Sequence, residues 1–118
     1  MLGRFDVSVS EFAVLDLCAR APAKASQIAR EVGVTPAGAT DVIDRLEERR
    51  LVRRVADPTD RRAVLVALTA LGLRRNRETR TAVSSMLREV DRAMTPAERR
   101  ALALGIAALL RTLSRERA

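Results

Sequence analysis

The sequence predicts a mainly α fold with one β-hairpin set between two helical stretches. Three observations carry this. Apolar residues recur at helical spacing from residue 12 to 46 and again from 83 to 113. Two capping boxes and a Thr-Pro start punctuate those stretches. Between them, two β-branched runs flank the turn cluster Asp57-Pro58-Thr59-Asp60.

Taken in order, Ser8-Val9-Ser10-Glu11 is the first capping box, and Phe12, Val14, Leu15, Cys18 and Ala19 follow at helical spacing until Pro22. A short helix fits Ala25 to Val32, with Ile28 and Val32 on its buried edge. Gly33 ends it, and Val34 plugs the turn. Thr35-Pro36 starts a third helix as N-cap and first helical residue, with Ala39, Val42, Ile43 and Leu46 as its apolar stripe. Two helices around a tight Gly-containing turn form a helix-turn-helix candidate. The runs Leu51–Val55 and Ala63–Leu68 then make a hairpin, so the fold is a winged helix-turn-helix with a two-stranded β-wing. From Ala70 the pattern is helical again. Arg74 to Thr81 is polar all round, which predicts a solvent-crossing arm. Val83, Met86, Leu87 and Val90 restore an apolar face. Thr95-Pro96-Ala97-Glu98 is the second capping box, and Leu102, Ile106, Leu109 and Leu113 stripe the last helix.

The 118 residues, 47% hydrophobic, suffice for one core, and the chain reads as a single unit over residues 1–118. Residues 8–69 form a winged lobe, and 70–118 a helical arm with a dimerisation lobe. Aromatics make up 2%, so the core is built of Leu, Val, Ile and Ala. The formal charge is +7, and Lys24 is the only lysine. An arginine-borne positive charge points to a polyanion, nucleic acid or an anionic membrane, or else to a solubilising surface. Arginine suits forked contacts to phosphate and guanine. Cys18 is the only cysteine and there is no His, which excludes an intrachain disulfide and ordinary His/Cys metal sites. No long apolar run reads as a signal peptide or membrane span, so the expected location is cytoplasmic, with no membrane partner.

The run Asp44-Arg45-Leu46-Glu47-Glu48-Arg49-Arg50-Leu51-Val52-Arg53-Arg54 resembles the end of the recognition helix and the following strand in the MarR (multiple-antibiotic-resistance regulator) family. Asp60, Arg62, Leu68 and Thr69 fit that family's wing pattern of Asp-x-Arg, five residues and Leu-Thr, with Asp57-Pro58 and Arg61 in common family usage. Thr35 to Thr40 resembles the start of the recognition helix. The similarity runs from about residue 8 to the C-terminus. Two departures stand out. The family usually has a further helix before the segment that begins at Ser8, a helix that helps form its dimer. Position 50, commonly Gly in the family, is Arg50, which must adopt a left-handed conformation or make a different turn.

With its apolar stripe turned inward, the third helix presents Pro36, Ala37, Thr40, Asp41 and Arg45, and Thr35 stands at its positively polarised end. Thr40 can hydrogen-bond a base or phosphate, and Pro36 or Ala37 can touch a thymine methyl. Asp41 accepts from a cytosine amino group or pairs with Arg45 four residues on. Arg53, Arg54, Arg61 and Arg62 flank the wing turn. The resemblance implies that Arg61 or Arg62 enters a minor groove with Asp60 orienting the guanidinium. The Leu102, Ile106, Leu109 and Leu113 stripe serves as intrachain core, dimer seam or both. Cys18, on an apolar face with only Arg20 near it, reads as a buried structural thiol.

The resemblance implies a homodimeric regulator, a repressor of transcription acting on pseudo-palindromic double-stranded DNA. Many relatives bind small aromatic acids, but with no Tyr, Trp or His this chain shows no site for such a ligand, and a small-molecule effector of unknown identity is left open. No cofactor and no metal are expected. An alternative is a winged-helix module that works through protein contacts without DNA. An enzyme is disfavoured because the only acid/base candidates are carboxylates on exposed basic helices.

Overall fold

The computed structural model describes residues 6–117. The chain order is α1 (Val9–Arg20), β1 (Ala23–Lys24), α2 (Ala25–Val32), α3 (Pro36–Glu48), β2 (Val52–Asp57), β3 (Asp60–Leu68), α4 (Ala70–Ala93) and α5 (Pro96–Arg117). It divides into two compact units between Ala82 and Val83, inside α4.

In the first unit the caps form as their residues dictate. Ser8 Oγ accepts from Glu11 N at 3.1 Å while Glu11 Oε1 accepts from Ser8 N at 2.8 Å. Gly33, at φ 81°, closes α2 in the left-handed region where it needs no Cβ room. Thr35 Oγ1 accepts from Gly38 N at 3.0 Å and starts α3. The core is Val14, Leu15 and Cys18 of α1, Ile28 and Ala29 of α2, Ala39, Val42, Ile43 and Leu46 of α3, and Leu51, Val52 and Val66 from the sheet side. All four stripe residues expected on α3 are therefore buried. On α2, Ile28 is fully buried and Val32 only partly.

The wing strands pair antiparallel, and β1 adds a third strand on the far edge of β3, giving the order β1-β3-β2. Two residues suffice for it: Ala23 pairs with Val66 and Lys24 with Leu65. Both wing strands run closer to the turn than the apolar runs alone imply.

Helix α4 begins at a crowded corner. A Cβ on residue 72 would collide with the Leu51 carbonyl oxygen, so only Gly72 lets the helix approach. The expectation of a solvent-crossing arm from Arg74 to Thr81 does not hold. Asn76 and Thr79 are each only 2% exposed. Arg75 pairs with Asp6 at 2.9 Å, and Arg80 Nε stands 3.4 Å from Asp16. Polarity misled because this face packs through paired charges and a buried amide, which no hydrophobic periodicity reveals.

In the second unit, Thr95 and Glu98 form the expected capping box at 2.8 and 3.2 Å. Arg99 donates to the Asp91 and Met94 carbonyls and so caps the end of α4. The stripe of Leu102, Ile106, Leu109 and Leu113 is not intrachain core: these residues are 46–58% exposed in the single chain.

Candidate nucleic-acid interface

Burial of the α3 stripe leaves Pro36, Ala37, Thr40, Asp41 and Arg45 exposed on the helix's other face, at the spacing of neighbouring turns. Their hydrogen-bonding capacity is partly committed. Thr35 spends its hydroxyl acceptor on the N-cap. Thr40 Oγ1 donates to the Pro36 carbonyl at 3.1 Å, so its lone pairs and methyl remain for a ligand. Asp41 and Arg45 are joined at 2.6 Å, the second of the two roles open to Asp41.

At the wing, Asp57 Oδ1 accepts from the backbone N–H and hydroxyl of Thr59 at 2.9 and 2.8 Å. Those two bonds, helped by the nearby charge of Lys24, hold the Asp57 carboxyl below its ordinary range. The ladder is then interrupted: Ala56 pairs with Val64, but Asp57 pairs with Asp60. Arg61, Arg62 and Ala63 thus bulge from the register, as strands do where side chains are re-aimed. Asp60 differs from expectation. Its carboxylate accepts from the backbone N–H of Arg62 at 3.1 Å, with no ion pair to Arg61 or Arg62 among the described residues. It shapes the turn and leaves both guanidinium groups exposed.

The two β2 arginines part company. Arg53 is exposed and outside any ion pair among the described residues. Arg54, on the next position of the strand, reaches back to Asp44 at 2.8 Å and to Glu47, both on α3. The Asp44 bond above all, with Glu47 beside it, stabilises its charged form. Arg54 therefore buttresses α3 from the wing.

Three features of this lobe escape sequence reasoning. Arg49 bridges Asp6 at 3.0 Å and Glu11 at 3.3 Å, tying the chain start to the end of α3. Burial alone would raise the Glu11 carboxyl, but Ser8's two hydrogen bonds and the charges of Arg49 and Arg45 outweigh it and lower it. Strand β1 brings the sole lysine, Lys24, to the wing sheet. Thr69 bonds across to Arg50, which does take the left-handed conformation, at φ 62°.

Cys18 is buried, and desolvation pushes its thiol up to about 11. Among the described residues no group of three His, Cys, Asp or Glu side chains could hold a metal, and no helix is long and apolar enough to cross a membrane.

A helix-turn-helix followed directly by a hairpin wing, with a polar α3 face and a basic turn, defines a winged-helix transcriptional regulator. The MarR family model matches residues 5–63, half of the chain, and the chain belongs to that family. Solved structures agree over nearly the whole length. It is similar to FabT of Streptococcus pneumoniae, crystallised in complex with DNA, at 27% identity and a TM-score of 0.80, over 93% of this chain and 78% of that one. The transcriptional regulator BldR from Sulfolobus solfataricus gives 28% and 0.76, over 94% and 79%. YusO from Bacillus subtilis gives 25% and 0.74, over 93% and 79%. A search of curated proteins finds no match.

Proposed function

We propose that this protein is a sequence-specific DNA-binding transcriptional repressor, acting as a homodimer on a pseudo-palindromic operator. One observation carries the reading above the others: the wing turn frees Arg61 and Arg62 from the ladder and from any carboxylate partner among the described residues, beside a recognition helix with an exposed polar face. Backbone contacts then fall to Arg61, Arg62, Arg53 and the N-terminal end of α3. Base reading falls to Pro36, Ala37, Thr40 and Arg45. Thr35, Asp41, Arg54 and Asp60 act by shaping these surfaces. The similarity to FabT, whose structure contains DNA, supports the same reading.

The exposed Leu102, Ile106, Leu109 and Leu113 seam supports self-association through the second unit. A dimer places two recognition helices on successive turns of one duplex face and so blocks a promoter. Release follows from an effector that favours a different spacing of those helices. Mobility shift on the DNA upstream of the protein's own coding region, over a salt series, tests this: a discrete complex that outcompetes bulk DNA is expected. A complex indifferent to sequence contradicts it.

A further inference from the structure

Besides the Arg54 ion pairs to Asp44 and Glu47, a second side chain, Thr69, ties the base of the wing to the corner that follows the recognition helix. Thr69 Oγ1 donates to the Arg50 carbonyl at 2.6 Å and accepts from Gly72 N at 3.0 Å, while Thr69 N donates to the Leu51 carbonyl at 3.1 Å. Arg49, Arg50 and Leu51 are the three residues between α3 and β2. Arg50 holds a left-handed φ of 62°, a conformation disfavoured for any residue with a Cβ. Its N–H is held by the Glu47 carbonyl at 2.9 Å, and its carbonyl by Thr69. The bare backbone of Gly72, against Leu51, allows the corner to close.

We infer that Thr69 is a positioning residue for DNA binding: its hydroxyl fixes the angle at which the wing leaves the recognition helix, so that helix and wing arginines meet one duplex in register. The inference rests on the DNA-binding reading above. The leverage is geometric. Strand β2 runs from Val52 to Asp57, and at a rise of about 3.3 Å per residue its tip stands roughly 17 Å from its base. A swing of about 10° at the corner therefore carries the tip ~3 Å, enough to break hydrogen bonds that tolerate only a few tenths of an ångström. Sheet pairing, the buried Val52, the Leu51 N–H on the Leu46 carbonyl and Arg54 on Asp44 and Glu47 also hold the wing to the lobe, while the Thr69 hydroxyl holds the carbonyl of Arg50 itself.

The test compares Thr69→Val, which keeps the shape and loses the hydroxyl, with Thr69→Ser, which keeps the hydroxyl. Each is made alone and together with Arg61→Ala/Arg62→Ala. The readout is affinity for a selected operator duplex and for scrambled duplex, with folding followed by circular dichroism. Thr69→Val should bind operator at least about tenfold more weakly with scrambled affinity nearly unchanged, and Thr69→Ser should match wild type. The wing substitutions should weaken operator binding less in the Thr69→Val background than in wild type, because a misplaced wing has less to lose. If Thr69→Val does not fold, Thr69→Ala carries the same comparison. A folded hydroxyl-less variant that keeps wild-type operator affinity, or whose loss simply adds to that of the wing variant, overturns the inference. Wild-type protein that fails to prefer operator overturns the underlying reading instead, so the two failures are distinct.

Discussion

Asp41 and Arg45 stand one turn apart on the exposed face of α3, carboxylate to guanidinium at 2.6 Å. The pair resolves an awkward feature of the surface proposed to meet DNA. Alone, the Asp41 carboxylate would repel phosphate; paired, it is neutralised, and it also restrains the Arg45 side chain on the helix surface.

Replacing Asp41 with Asn therefore frees Arg45. Affinity for every duplex should rise a fewfold and the log–log salt slope should steepen by about one, the equivalent of one added phosphate contact. Specificity should fall. The exposed pair adds only about 0.3–0.5 kcal/mol to the helix, so the melting temperature should barely move. Salt titrations on operator and scrambled DNA check this; an unchanged slope means that Arg45 stays where it was without its partner.

Wing and recognition helix should separate in the same assay. Arg61→Ala/Arg62→Ala should weaken all duplexes and flatten the salt slope by about one to two units. Thr40→Ala removes no charge and leaves the slope alone, while relaxing discrimination at one base step by ~1–3 kcal/mol. Since Thr40 already donates to Pro36, an acceptor contact or its methyl is what the substitution removes. If the double wing variant binds like wild type at every salt concentration, the arginines are surface decoration.

Cys18 gives a pH prediction. Burial raises its thiol from the ordinary value to about 11, so the folded state holds a proton that the unfolded chain releases earlier. The associated stability is complete below about 9 and is lost as pH rises to about 11. Wild type should therefore lose stability more steeply than Cys18→Ala across that window in denaturant melts. With no His or Tyr and one Lys in the chain, few other groups blur the comparison. Operator binding should show no peroxide response through this buried thiol. Parallel slopes for the two proteins would mean that the thiol titrates normally.

Ile106 sits amid the exposed α5 seam, so Ile106→Asp places a carboxylate where two chains would meet. Sedimentation should shift from dimer to monomer, or the protein should become insoluble. A wild type that sediments as a monomer at micromolar concentration contradicts the seam.

What the sequence made legible was local. The stripe of α3, its Thr35 cap, the Gly33 stop and both capping boxes lie within a turn or two of chain, where spacing and capping chemistry decide. What stayed hidden was settled by distant partners. Strand β1 exists only because Val66 and Leu65, some forty positions on, accept two residues at the sheet edge. Arg49 finds Glu11 and Asp6 across 38 and 43 residues. Arg54 reads as a wing arginine on the strand, yet it turns to Asp44 and Glu47 because those carboxylates line the adjacent helix. Asn76 and Thr79 are buried polar groups in a stretch whose composition signals solvent.

The most direct test of the account is selection of bound duplexes from a random library by the full-length protein at physiological salt. It predicts one enriched, pseudo-palindromic motif with half-sites about one helical turn apart, bound at least about a thousandfold more tightly than scrambled DNA. Enrichment of no motif, with binding that tracks duplex length alone, would contradict it.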